Sequence, residues 1–260
     1  MAFCPKPGSV FVFDLDGTVY LGDAAIPGAV QFINSLIQKG YGVILFSNNS
    51  SRSVSEVQKK LSRMGLEATA EQIVLSSHVA AAALQKLQPG KRCYALANPN
   101  LELILREQNI ALTDDPKCAD YVLLGFDTTL TYRKLQDAAM LLDSGKPYYA
   151  THPDINCPTA DGFMPDTGAM IALLEVSTGR KPDLVFGKPE LSTVEFICAK
   201  TDQPKECLIF IGDRLETDIA IGRNGVQTIL VYTGITTPEI YAGSSIQADL
   251  AVQTLADITL

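Results

Sequence analysis

Asp14 and Asp16 stand two residues apart in Asp14-Leu15-Asp16-Gly17-Thr18, directly after the apolar run at residues 10–13. Paired carboxylates released at the end of a buried strand can hold a divalent cation, and one of them can attack phosphorus. Three more motifs follow apolar runs in the same way. Ser47-Asn48-Asn49 follows residues 43–46, Gly187-Lys188-Pro189 follows 184–186, and Gly212-Asp213 follows 208–211, with Asp218 close behind. A hydroxyl and successive backbone N–H groups can bind phosphoryl oxygens, and a lysine with Mg²⁺ can neutralise them. Turnover also needs a group that protonates the leaving oxygen and later activates water. Asp14 and Asp16 can divide the roles of nucleophile and acid/base, in an order that composition leaves open.

Each motif alone has an ordinary structural explanation. Asp-x-Asp-Gly-Thr makes Asx-type turns, Ser-Asn-Asn caps helices, Gly-Lys-Pro is a surface turn, and Asp213 and Asp218 can charge the start of a helix. Together, and all at strand ends, they point to one phosphoryl-transfer site. Other devices are missing. The chain has no G-x-x-x-x-G-K-[ST] loop, no G-x-G-x-x-G after its first strand, and no G-x-S-x-G elbow. Its two histidines, His78 and His152, are too few for a zinc cluster.

The positions of these motifs depend on strands alternating with helices. Residues 10–13, 43–46 and 73–75 read as buried strands. Between them, Val30, Ile33 and Ile37 can share one helical face that Gly40 stops. Ser53 and Glu56 have capping-box spacing ahead of a Val54, Val57, Leu61, Met64 stripe. Residues 92–96, 121–124 and 148–150 form a second strand series, with a helix through Leu135, Ala138, Ala139 and Leu142 closed by Gly145. This middle section carries no strand-end carboxylate arrangement and reads as an inserted α/β module over about 80–180. The last third returns to the opening pattern with strands at 184–186, 208–211 and 228–231. A helical stretch through Leu215, Ile219 and Ala220 ends before Gly225. The alternation predicts parallel strands with crossover helices, so the carboxyl ends of the strands can share one crevice.

Length and composition fit this plan. The chain has 260 residues, is 47% apolar and carries a formal net charge of -8, enough for a large core and with no basic block to attract nucleic acid or an anionic membrane. No apolar stretch is long enough to span a bilayer, and since the chain enters a core strand almost at once, no signal peptide is expected. Six cysteines at 4, 93, 118, 157, 198 and 207 include no CxxC pair. The expectation is a cytoplasmic protein with reduced thiols.

The set Asp14-Leu15-Asp16-Gly17-Thr18, Ser47-Asn48-Asn49, Gly187-Lys188-Pro189 and Gly212-Asp213-Arg214-Leu215-Glu216-Thr217-Asp218 resembles the haloacid dehalogenase superfamily of phosphohydrolases. The extension Thr18-Val19-Tyr20-Leu21-Gly22 and the late insert are similar to its type IIA branch, which includes NagD-like, 4-nitrophenyl, pyridoxal and phosphoglycolate phosphatases. Gly125-Phe126-Asp127, Thr151-His152-Pro153-Asp154, Pro165, Gly168 and Gly179-Arg180-Lys181-Pro182 strengthen that resemblance. It implies an α/β fold: a Rossmann-like, doubly wound parallel-sheet core (1–79 and 181–260) with an inserted C2-type cap (80–180). It implies a Mg²⁺-dependent phosphatase of small phosphorylated metabolites acting through an aspartyl-phosphate. The roles follow residue by residue. Asp14 is the nucleophile and a metal ligand, and Asp16 is the acid/base and lends its backbone carbonyl to the metal. Asp213 is the other metal carboxylate. Leu15, Gly17, Ser47, Asn48 and Lys188 bind the phosphoryl group. Gly17 makes a tight turn, Thr18 bonds locally to hold the loop, and Asp218 supports the shell. A homodimer joined through the cap is compatible with this reading. Two positions depart from the pattern: His152 stands where asparagine is common, and Glu216 stands where a second aspartate is usual. His152 is expected to be structural and Glu216 to matter little. The rival readings are a phosphotransferase that delivers the group to a sugar, and a regulatory or binding protein on a non-catalytic scaffold.

Overall fold

The computed structural model describes residues 4–159 and 162–259, which form two compact units. The first unit comprises the chain up to Ser47, Val54–Val74, and Lys188 onward. Among the described residues its sheet has six strands, in the order Leu250–Val252, Gln227–Val231, Leu208–Gly212, Val10–Phe13, Gly42–Ser47 and Ile73–Leu75. The pairings from Leu250–Val252 through Gly42–Ser47 are parallel. Val10–Phe13 lies inside the sheet and is buried at every position, as expected for a strand covered by helices on both faces. Phe13 meets Phe32 edge-on, and Phe11 meets Tyr41 in the same way.

Helix Ala29–Gln38 follows Gly28, whose φ of 84° is left-handed. Its buried residues are Ala29, Phe32, Ile33 and Leu36. The sequence-predicted face was Val30, Ile33 and Ile37, of which only Ile33 is buried, and Ile37 is 39% exposed. Both sets have helical spacing, and the one containing Phe32 and Leu36 removes more apolar surface from water. In helix Val54–Arg63 the buried residues are Val57 and Leu61, the centre of the predicted stripe.

The helical stretch read after Asp213 is present and ends at Gly225, but it is not α-helical. Leu215–Ile219 forms a π-helical turn, with the N–H groups of Asp218 and Ile219 both directed to Arg214 O. A 3₁₀ stretch, Ala220–Asn224, then ends at Gly225. The cause is Asp218, whose Oδ2 accepts from Arg214 N at 3.0 Å while Oδ1 is bound elsewhere. Single π turns of this kind often accompany functional sites.

The second unit comprises Asn48–Ser53 and Leu75–Gly187. Its sheet runs in the order Leu184–Val185, Tyr148–Ala150, Tyr121–Leu124, Arg92–Leu96 and Ala111–Leu112, with parallel pairings throughout. Leu184–Val185 therefore belongs to this sheet and not to the opening pattern to which the sequence reading assigned it. Too short to stand alone, it pairs with Tyr149 and Ala150. The core packs Leu96, Val122, Leu124, Ala138, Leu142 and Leu174.

Two carboxylates do lie beyond strand ends here, without forming the clustered arrangement found in the first unit. Asp127 is buried against Lys134 Nζ at 2.7 Å, and Asp154 Oδ1 accepts from Asn48 Nδ2 at 3.1 Å. They escaped notice because two or three residues separate them from the strand ends. The short Asn48–Ser53 segment is bonded into the unit: Ser76 Oγ donates to Asn48 O, Phe126 N to Ser50 Oγ, and the amides of Asn98 and Asn100 to Ser51 O. His152 is fully buried between Asp166 Oδ1 and Thr151 Oγ1, both at 2.9 Å, and Asp166 caps helix Thr167–Thr178. Among the described residues no helix is long and apolar enough to cross a membrane.

Candidate active site

Three adjacent parallel strands of the first unit end side by side, about 4.8 Å apart, and they deliver Asp213, Asp14 and Ser47 in that order. Asp14 continues the ladder, its N–H donating to Ile211 O at 2.8 Å. Lys188, 2% exposed, reaches Asp14 Oδ1 at 2.5 Å and Asp218 Oδ1 at 2.6 Å. Its ammonium lies 5.3 Å from the centroid of the Phe46 ring. Sequence separations of 174 and 30 residues close into one charged cluster.

Asp14, Asp213 and Asp218 each offer a carboxylate oxygen within 4.8 Å of the others. Burial pushes Asp14 well above the usual carboxylate range, against the pull of Lys188. Burial, then the neighbouring Asp218, raises Asp213 to about 6. Burial works against the Lys188 ammonium, but Asp14 and Asp218 outweigh it and hold its pKa up. One ammonium thus faces three carboxylates. The deficit of positive charge and the all-oxygen donor set fit a hard divalent cation such as Mg²⁺. Asp218 already accepts from Lys188 and from Arg214 N, which makes it a clamp on the lysine and on its own loop.

The turn after Asp14 closes on Leu15: the N–H groups of Thr18, Val19 and Tyr20 all point to Leu15 O, and Gly17 N donates to Tyr20 O at 2.7 Å. Leu15 is completely buried, and its carbonyl anchors the turn. Gly17 has φ 88°, and a Cβ there would come within 2.6 Å of Asp213 Oδ2, so the tight-turn role holds on two counts. The expected local bond of Thr18 is absent. Its hydroxyl is buried with no hydrogen-bond partner among the described residues, and Thr18 contributes packing instead. Asp16 Oδ2 accepts from Tyr20 OH at 3.3 Å. Ser47 is buried at its strand end, and Asn48, the next residue, groups with the second unit, where Asp154 holds its amide. Glu216 is exposed, in keeping with a minor role.

The sequence reading missed the segment Thr233-Gly234-Ile235. Ile235 N donates to Asp213 Oδ2 at 2.7 Å, and Thr233 Oγ1 donates to Gly17 O at 2.6 Å. The signal was available: Gly234 follows another buried strand, Gln227–Val231, at the same edge of the sheet. A Cβ on Gly234 would collide with the Asp213 carboxylate. Gly234→Ala should therefore raise the magnesium concentration for half-maximal activity by about 10-fold or more. A magnesium titration that superimposes on wild type would refute this.

Asp213 also makes a pH prediction. Its protonated form is favoured in the folded protein, so its stabilising contribution is complete at low pH and is lost as pH rises through about 6. In EDTA, Asp213→Asn should match wild type near about pH 3.5 and exceed it by on the order of 3 kcal/mol near about pH 8. Urea unfolding at the two pH values tests this, and a constant difference would contradict it.

Comparison with known proteins agrees with the geometry. The family model described as haloacid dehalogenase-like hydrolase matches residues 11–111, and a second, HAD-hydrolase-like model matches residues 185–258. The chain is 35% identical over 235 residues to an acid sugar phosphatase of Staphylococcus saprophyticus, covering 90% of each protein. It superimposes on the crystal structure of a 4-nitrophenylphosphatase from Thermotoga maritima with a TM-score of 0.91 and 40% identity, covering 95% of each chain. It also resembles a glycerol phosphate phosphatase from Mycobacterium tuberculosis, solved in complex with magnesium, with a TM-score of 0.88 and 29% identity over 95% of this chain and 75% of that one. Agreement on this scale, in both sequence and backbone, shows that the chain belongs to the haloacid dehalogenase-like hydrolases.

Proposed function

We propose that the chain is a Mg²⁺-dependent phosphatase of small phosphomonoesters, working through an aspartyl-phosphate on Asp14. The observation that carries this reading is Lys188, bridging Asp14 and Asp218 inside a buried cluster of three carboxylates. Asp14 forms the O–P bond while the P–O ester bond breaks, and Asp16 gives its proton to the departing oxygen. Water, losing a proton to Asp16, then attacks the same phosphorus and frees phosphate and Asp14. Lys188 orients Asp14 and balances negative charge. The residues suited to hold Mg²⁺ are Asp14, Asp213 and the backbone carbonyl of Asp16; when bound, the ion supplies positive charge beside the phosphoryl oxygens. Leu15, Gly17, Ser47, Asn48 and Lys188 hold those oxygens.

The second unit serves as a C2-type cap. It excludes bulk water from the phosphoenzyme and sets substrate choice. Acid sugar, 4-nitrophenyl and glycerol phosphatases among the relatives support small phosphorylated metabolites as substrates. A homodimer would cover the exposed Leu173 and Val176 of helix Thr167–Thr178. The described cysteines form no disulfides, which favours a reducing cytoplasm.

The test is hydrolysis of 4-nitrophenyl phosphate and a panel of sugar phosphates, nucleoside monophosphates and phosphoglycolate, with and without Mg²⁺. Expected are magnesium-dependent phosphate release and an acid-stable phosphoprotein lost in Asp14→Asn. Transfer to an added alcohol in place of water would favour the phosphotransferase, and no turnover of any ester would favour the binding protein.

A further inference from the structure

Asp16 has a neighbour that the proposed chemistry does not yet use. Tyr20 lies on the turn that Asp16 begins. The two residues form a β-bridge, and the Tyr20 N–H and C=O are both fixed by Leu15 and Gly17. The ring is 4% exposed, and its hydroxyl donates to Asp16 Oδ2 at 3.3 Å. Over the ring sits Lys60 Nζ, 3.7 Å from the centroid, carried by helix Val54–Arg63. A cation at that distance attracts the ring face and holds its plane. It also draws electron density from the phenol and makes its hydroxyl a stronger donor.

We infer that Tyr20 is a positioning residue for proton transfer and that Lys60 holds Tyr20 in place. The inference rests on Asp16 being the acid/base group. The Tyr20 hydroxyl donates to Oδ2 and so orients the carboxyl group that exchanges the proton. That proton passes from the Asp16 carboxyl to the ester oxygen as the P–O bond breaks, and the carboxylate takes one back from water when the aspartyl-phosphate is cleaved. A carboxylate tethered at one oxygen has fewer orientations to lose in reaching the transition state. Nothing in a purely structural account requires the hydroxyl: phenylalanine would fill the same space.

The test uses two esters of similar size, phenyl phosphate and 4-nitrophenyl phosphate. Phenol is a poor leaving group that needs a proton from the acid, and 4-nitrophenol departs without one. Tyr20→Phe should lower kcat/KM for phenyl phosphate about 10-fold and for 4-nitrophenyl phosphate less than about twofold. Lys60→Met, on a partly exposed side chain, should act in the same direction by about threefold. Equal losses on both esters, or no loss on either, would overturn the inference. Asp16→Asn run in parallel separates the two levels. If it loses phenyl phosphate selectively and Tyr20→Phe does not, Tyr20 alone is misassigned. If Asp16→Asn also leaves the ratio unchanged, the acid role of Asp16 falls and the inference with it.

Discussion

Asp14→Asn is expected to fold, to bind magnesium more weakly, and to lose at least about four orders of magnitude in kcat. The amide keeps the shape of the carboxylate and the ladder bond of Asp14 N to Ile211 O, but it cannot attack phosphorus. Stability should move the other way. Burial raises the pKa of Asp14 despite Lys188, so the folded protein favours the protonated side chain. That contribution is present at low pH and is lost as pH rises through the folded pKa, which makes the ionised form a cost at neutral pH. The neutral amide removes the cost. In EDTA the variant should melt no lower than wild type, and added Mg²⁺ should raise the wild-type midpoint more than the variant's. A variant that is inactive and also melts well below wild type in EDTA would mean that Asp14 is needed to hold the fold, and that its inactivity says little about chemistry.

Lys188→Met should do the reverse and damage both properties. The ammonium is a buried counter-charge shared by Asp14 and Asp218. Removing it strands carboxylates that already repel one another, at a cost of about 3–5 kcal/mol in the absence of metal. Turnover should fall by at least about 10³, because charge on the transferring group loses a fixed partner. Two controls separate this from a packing defect. Magnesium should restore part of the stability, since it brings positive charge to the same carboxylates. Asp218→Asn combined with Lys188→Met should cost less than the sum of the single changes, since one stranded charge is then gone. Strict additivity in urea unfolding, with no recovery in magnesium, would reject the electrostatic explanation.

The strands Val10–Phe13, Arg92–Leu96, Tyr121–Leu124 and Tyr148–Ala150 match the sequence reading in full. Each is a short, mostly apolar run with a buried centre, and length alone separates it from a helix. Helix Thr167–Thr178 was unreadable for the opposite reason: Ala169, Met170, Ile171, Ala172, Leu173 and Leu174 leave no polar face to set a period. Helix Pro99–Glu107 did announce itself, with Asn98 as cap and proline in the first turn, and was overlooked. Ser76–Leu87 begins directly at a strand end with no Gly or Pro between them, so punctuation could not reveal it.

The charged members of the site were legible because carboxylates and a lysine at strand ends have few other uses in a parallel sheet. Their supports were not. The hold of Ile235 on Asp213, and of Thr233 on Gly17 across 216 residues, depends on which loops the finished sheet brings together. The π turn at Leu215–Ile219 was likewise hidden, since Asp218 widens the helix only when Lys188 and Arg214 N are both in reach.

The chain passes between its units after Ser47, Ser53, Val74 and Gly187. Anyone transplanting the second unit from one relative to another must therefore move two pieces. A graft of Leu75–Gly187 alone would leave Phe126 N and the amides of Asn98 and Asn100 facing a foreign hexapeptide in place of Ser50 and Ser51. Chimeras that carry Asn48–Ser53 along with the larger insert should express and fold where single-segment swaps fail.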